Sequence, residues 1–308
     1  MSKDPAKIPP TTFLDPATIN QAEALGLHAR FIVEGYMSGE HKSPFRGFAI
    51  EFTQHREYVP GDDLRHLDWK VLGRTDKYFL KQYEQETNYV ANILLDGSES
   101  MNYGSGSITK LQYGKMMAAC LAYLILLQRD AVSLSLFDKE VKSHIPRTGN
   151  MNAVHNIMHV LSQFQADGAT NIGAILHQLA GQIKRRGIVL IISDFLDDED
   201  SILEGLQHVR FGGSEVIVLH LMDPFELEFP FRGMVEFEGL EAVGAPEKLM
   251  VQPQQIRKSY LEALESFKTK IREGCERNNC HYVLINTSQP LHEALTSYLA
   301  FRLRTSTR

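Results

Sequence analysis

Five residues carry the side chains from which a site could be built. They are Asp96, Ser98 and Ser100 in the run Asp96-Gly97-Ser98-Glu99-Ser100, Thr170 in Gly168-Ala169-Thr170-Asn171-Ile172, and Asp194 in Ser193-Asp194. Together they offer two carboxylates and three hydroxyls, all hard oxygen donors. Mg2+ takes oxygen ligands octahedrally at about 2.0 to 2.1 Å, keeps several waters and needs only one or two carboxylates, so such a set suits it. The two aspartates supply about −2 against the +2 of Mg2+, or of Mn2+ or Ca2+ in its place. The ion would then be neutralised, with positions left for the Asp or Glu carboxylate of a protein partner. The plain alternative is that Asp96 and the serines only cap a following helix and satisfy loop amides.

These residues must be positioned by the elements around them. From residue 87 onward, apolar runs alternate with helical patterns. YVANILLD (89–96), AVSLSLF (131–137), VKSHIP (141–146), GIVLIISD (187–194), SEVIVLHLMD (214–223) and CHYVLIN (280–286) read as strands, several of them buried on both faces. Helices are expected over about 109–128, 150–164, 171–184, from the acidic run Asp197–Asp200 onward, over 253–278 and over 291–303. The alternation predicts an α/β fold with a doubly wound, mostly parallel sheet over 87–308, with a hairpin-like excursion near 224–250. Residues 1–86 read as an N-terminal extension: a loose start, a helix from Asp15 or Thr18 to about Tyr36, and β-like pieces at FRGFAIEF and KYFLKQYEQE around a Pro60-Gly61-Asp62-Asp63 turn. In a doubly wound sheet ligands bind beyond the carboxyl ends of the strands near the switch point, where Asp96 and Asp194 are expected. Ser98 is expected on an exposed loop there.

The order D-x-S-x-S, then Thr170 in a helix-opening loop, then Asp194 at a later strand end resembles the metal ion-dependent adhesion site of von Willebrand factor A-like domains. The FRGFAIEF stretch, the stretch REYVPGDDLRHLDWKVLGRTDKYFLKQYE (56–84) and the following DGSESM resemble the bacterial family catalogued as the fifty-eighth domain of unknown function, across nearly all of 25–300. The resemblance implies a von Willebrand factor A fold in which Ser98 and Ser100 bind metal through their hydroxyls. Thr170 would bind directly or in exchange with Asp194, and Asp96 and Asp194 directly or through water. It also implies association with a MoxR-type AAA+ ATPase. The last loop reads Ser-Asp-Phe where animal adhesion domains commonly have Thr-Asp-Gly.

Other clusters read as structural. His155 and His159 have a metal-ligand spacing without the Glu of H-E-x-x-H, and the apolar residues around them suggest a half-buried face. Cys275, Cys280 and His281 lack a second ligand pair for zinc, and with Cys120 they are expected as free thiols. Gly104-Ser105-Gly106-Ser107 lacks the P-loop form and reads as a flexible loop. Asp197–Asp200 suit a helix N-terminus. The segment Arg56–Trp69 reads as a charge-paired clasp or a partner surface.

With 32 Lys plus Arg against 38 Asp plus Glu, the net charge of −6 offers no basic field for nucleic acid. No secretory signal or spanning segment is legible, so a cytoplasmic location is expected. The expected function is a Mg2+-dependent, non-enzymatic protein-interaction module, an adaptor for a MoxR-type ATPase in protein complex assembly or maturation. The alternative is a metal-dependent phosphotransferase or phosphatase with Asp96 as nucleophile, for which no paired lysine is evident.

Overall fold

A computed structural model describes residues 50–57, 71, 73–74, 78–85, 90–127, 130–166, 168, 171–183, 187–238, 248–291 and 293–294. They fall into two units, one within 37–88 and one from 89 onward. In the first unit Ile50–Glu57 (β1) and Phe79–Gln85 (β2) pair antiparallel, with a register shift between Phe52 and Gln54. The first strand therefore extends past the FRGFAIEF run. The expected helix before Tyr36 and the turn at Pro60–Asp63 lie outside the described residues, as do all of Arg56–Trp69 beyond Glu57 and most of 291–303.

The second unit is built on Val90–Asp96 (β3), Lys110–Leu127 (α1), Ala131–Phe137 (β4), Val141–Thr148 (β5), Ala153–Gln163 (α2), Ile172–Gln182 (α3), Ile188–Ser193 (β6), Glu199–Phe211 (α4) and Glu215–Met222 (β7). Pro224–Glu228 (α5), Val235–Glu238 (β8), Lys248–Val251 (β9), Pro253–Arg277 (α6) and His281–Asn286 (β10) complete it. Six strands form one sheet in the order β10-β7-β6-β3-β4-β5, parallel except for the β4/β5 pair. The chain moves outward from β3 to β4 and β5, then returns to β6 on the other side of β3. The switch point thus lies between β3 and β6. The excursion after β7 contains the antiparallel pair β8/β9, whose second strand lies later than the run 233–243.

The two-residue period of the strands sorts their apolar side chains onto two faces. Ile93, Leu95, Leu190, Ile192, Ile217 and Leu219 join α1 and α2 in one core. Leu94, Val189, Ile191, Val216 and Val218 join α3, α4 and α6 in the other. On α2 the inward stripe is Val154, Ile157, Met158 and Leu161, which leaves His155 and His159 on the exposed face and not half-buried as the local composition suggests. The acidic run does serve α4: Asp198 Oδ1 accepts the Ser201 N–H at 2.8 Å, while Asp197 Oδ2 accepts the Ile172 N–H at 2.8 Å and ties the start of α3 to the loop after β6. Cys120, Cys275 and Cys280 are buried free thiols, and burial pushes Cys280 up to about 11.

Helices α3 and α4 touch through Gly173, where a Cβ would sit 1.9 Å from Ser201 Oγ and 2.7 Å from the Ser201 carbonyl oxygen. Since the second obstacle is backbone, Gly173→Ala should destabilise the fold by about 1 to 3 kcal/mol. An unchanged midpoint in urea unfolding would contradict this close approach.

His220 of β7 lies edge-on to Phe195, Phe267 and Tyr282, with ring centroids 5.6, 5.9 and 5.7 Å away, and its Nδ1 is 2.8 Å from Tyr282 Oη. Burial disfavours the imidazolium and pushes this group down from 6.5 to about 4. Between those values the folded chain binds fewer protons than the unfolded one, so this histidine lowers stability as pH falls from 6.5 to about 4, by up to about 3 kcal/mol. Denaturation of the wild type and of His220→Asn at neutral and acidic pH should show the larger acid loss in the wild type. Equal losses would refute it.

Candidate metal centre at the switch point

Leu95 pairs with Ile192, so Asp96 leaves the sheet beside Ser193 and Asp194. Beyond β3 the chain turns through Gly97, whose N–H donates to the Phe137 carbonyl at 2.7 Å, into a short 3-10 turn, Glu99–Asn102. A Cβ at Gly97 would lie 2.1 Å from Phe164 Cζ, so the ring following α2 sits directly on this turn and requires glycine there. The expectation of an exposed loop is thereby corrected: Asp96, Ser98 and Asp194 are 0% exposed and Ser100 is 5%.

Within the turn Asp96 Oδ1 accepts the Ser98 N–H at 2.9 Å, and Oδ2 accepts the Ser193 hydroxyl at 2.6 Å. Ser193 Oγ in turn accepts the Phe195 N–H at 2.8 Å. The hydroxyl oxygens of Ser98 and Ser100 are 3.0 Å apart. Ser98 stands at the N-cap of the 3-10 turn but makes no side-chain cap bond. Asp96 does satisfy a loop amide, but Ser98 makes no side-chain cap bond, so the capping alternative does not account for that serine. Burial first, then the nearby Asp194 carboxylate, pushes Asp96 up to about 7. Thr170 lies outside the described residues, although the carbonyl of Gly168 accepts the Glu99 N–H at 2.9 Å and so holds the preceding loop against the D-x-S-x-S turn. Asn171 caps α3 by accepting the Ala174 N–H at 3.0 Å.

Sequence reasoning missed Lys110, the first residue of α1. Its side chain is 0% exposed, and its ammonium donates to Asp194 Oδ2 at 2.7 Å and to Glu226 Oε1 at 2.6 Å. The centroid of the Tyr103 ring is 5.8 Å from Nζ. Burial alone would lower this lysine, but the Asp194 and Glu226 charges override it and raise it. Glu226 closes the capping box of α5, with Oε2 accepting the Asp223 N–H at 2.8 Å. Asp223 Oδ1 accepts the Phe225 N–H and Oδ2 accepts the Ser105 N–H, both at 2.8 Å. The Gly104–Ser107 segment is therefore tied to a carboxylate and is not a free loop or a phosphate cradle. The sequence signal available was a lysine opening a helix whose first turn has no acid, an unfavourable place for a cation beside the macrodipole.

Among the described residues no three His, Cys, Asp or Glu side chains group as a metal site, so any ion here must use the hydroxyls with the two aspartates. Cys275, Cys280 and His281 gather no zinc set.

Several known proteins are similar to this chain. "Uncharacterized protein Rv1480" of Mycobacterium tuberculosis is 23% identical over 314 residues, which cover 98% of this chain and 97% of that protein. Among solved structures, the conserved hypothetical protein BatB of Bacteroides thetaiotaomicron is 14% identical over 70% of this chain and 99% of its own, with a TM-score of 0.47. An aerotolerance-related membrane protein of Bacteroides fragilis is 16% identical over 69% and 99%, with a TM-score of 0.43. The SpRpn10 VWA domain is 14% identical over 68% and 95%, with a TM-score of 0.40. With all three TM-scores below 0.5, the fold rests on the strand order and on the helices covering both faces, which make a von Willebrand factor A-like sheet. The expectation of a cytoplasmic location is corrected: a similar structure is described as that of a membrane protein, and that no helix among the described residues is long and apolar enough to cross a membrane does not place the chain in the cytoplasm. A family model matches residues 54–270, most of the chain, and the chain belongs to that family, described as "Protein of unknown function DUF58".

Proposed function

We propose that the switch-point residues bind a divalent cation, Mg2+ in the first place, and that the protein is a non-enzymatic interaction module whose partner completes the ion's shell with an Asp or Glu carboxylate. The observation that carries the reading is the 3.0 Å separation of the Ser98 and Ser100 hydroxyls beside two aspartates. Adjacent ligands of an octahedral ion at about 2.1 Å lie about 3.0 Å apart. The raised protonation of Asp96 points the same way, because two close, buried carboxylates form a site that a +2 charge relieves. Ser98, Ser100, Asp96 and Asp194 would hold the ion, with Thr170 as the fifth ligand. A MoxR-type ATPase, engaged in the assembly or maturation of protein complexes, is the partner that the family resemblance suggests.

The phosphotransfer alternative gains a lysine near the acids but remains weaker. Lys110 is committed to Asp194 and Glu226, and both oxygens of Asp96 already accept hydrogen bonds, so the carboxylate is not poised for attack.

Calorimetric titration should show one Mg2+ site in the wild type and at least a tenfold loss of affinity in Asp96→Ala and in Ser98→Ala, with both variants folded. Capture of a MoxR-type ATPase on the immobilised protein should require Mg2+ and fail in EDTA. Equal capture by the wild type and Asp96→Ala in both conditions would sink the metal-bridged module. Hydrolysis of phosphoesters should stay at background; Mg2+-dependent turnover abolished by Asp96→Asn would reverse the assignment in favour of an enzyme.

A further inference from the structure

Lys110 is the one lysine among the described residues with a fully buried side chain, and it touches one of the two aspartates of the candidate centre. Local rules speak against it. A cation in the first turn of a helix opposes the macrodipole, and a buried ammonium must replace all its hydration. What compensates is the pair of carboxylates at 2.7 and 2.6 Å, supplied by the loop after β6 and by α5. Asp96, Asp194 and Glu226 sum to −3 when ionised, and the lysine brings the set to −2, the charge that one divalent ion offsets. Asp194 Oδ2, an oxygen a metal would draw on, is already held by the ammonium, while Oδ1 accepts, among the described residues, a long bond of 3.3 Å from the Leu196 N–H.

We infer that Lys110 is a resident counter-cation of this site. It supplies positive charge to Asp194 in the ion-free state, competes with a divalent ion for that carboxylate, and so sets how tightly such an ion binds. Binding of the ion would shift the ammonium toward Glu226. That residue anchors the capping box of α5, and through Asp223 the loop at Ser105, so occupancy of the site is linked to the segment after β7. The affinity part of this inference rests on the metal reading above; the stabilising part does not.

The test compares wild type, Lys110→Met and Lys110→Arg in thermal unfolding and in calorimetric Mg2+ titration. Methionine keeps most of the stem and removes the charge. In EDTA, Lys110→Met should melt below the wild type, because buried Asp194 and partly buried Glu226 are left without a counter-charge. Mg2+ should raise its melting temperature by more than it raises that of the wild type, with affinity increased about tenfold or more. Lys110→Arg should stay close to the wild type in both. A merely structural lysine would lower the melting temperature equally with and without Mg2+, and that result overturns the inference while leaving the metal reading intact. Binding of Mg2+ by Lys110→Met but not by the wild type would support the inference and overturn the Mg2+-dependent module. Binding by neither protein overturns the metal reading and the affinity part of the inference, while an unchanged melting temperature of Lys110→Met in EDTA overturns the stabilising part. If Lys110→Met folds only in Mg2+, the inference is supported. If it folds in neither condition, Glu226→Gln decides, since it leaves Lys110 to Asp194 alone: Mg2+ affinity should fall severalfold, and an affinity equal to that of the wild type overturns the inference.

Discussion

The constraint around which the second unit is arranged is the burial of two carboxylates side by side. Asp96 and Asp194 emerge from neighbouring parallel strands at the point where the winding of the sheet reverses, and neither reaches solvent. Desolvation and the nearby Asp194 carboxylate both disfavour the ionised form of Asp96. Each neighbouring feature reduces one of these penalties. The Ser98 N–H and the Ser193 hydroxyl give hydrogen bonds to Asp96, Lys110 gives charge to Asp194, and the proton that Asp96 holds up to about pH 7 removes part of the repulsion. A +2 ion would satisfy the same pair at once.

This arrangement has a geometric cost that the glycines absorb. The turn after β3 must bring Ser98 and Ser100 back over the strand end while Phe164 covers it, which leaves no room for a Cβ at residue 97. On the other face Gly173 lets α3 lie against Ser201, and Asp197 takes the first N–H of α3. Gly168 and the start of α3 are thus each held by hydrogen bonds. Site and fold are built from the same contacts here, so changes at Gly97 or Gly173 perturb both.

Much of the sheet was legible in the sequence because strands buried on both faces leave uninterrupted apolar runs. β4 falls on the AVSLSLF run and β3 and β7 fall within a residue or two of theirs. The position of the acids at strand ends follows from the same pattern. What was not legible depends on distance in the fold. Lys110 meets Asp194 across 84 residues of chain and Glu226 across 116, and periodicity carries no information about such pairs. Phe164, whose ring lies against Gly97, is another distant residue that local pattern does not reveal. His155 and His159 were misplaced for a local reason: the apolar stripe of α2 begins at Val154, so both histidines fall just off it, and neighbouring apolar residues were mistaken for surrounding ones.

The polar network does not stop at the acids. Glu226 and Asp223 cap α5, and α5 runs directly into Phe229, a residue held in the left-handed region at φ 48. Phe229 packs on Phe231, Phe237 and Tyr260, with ring centroids 5.1, 5.8 and 4.5 Å away, and so joins the start of the excursion to β8 and to α6. A five-residue helix is too short to hold itself by propensity alone, so its capping box and this aromatic cluster must do so. One end of α5 is therefore fixed by the charge balance of the candidate centre and the other by apolar packing.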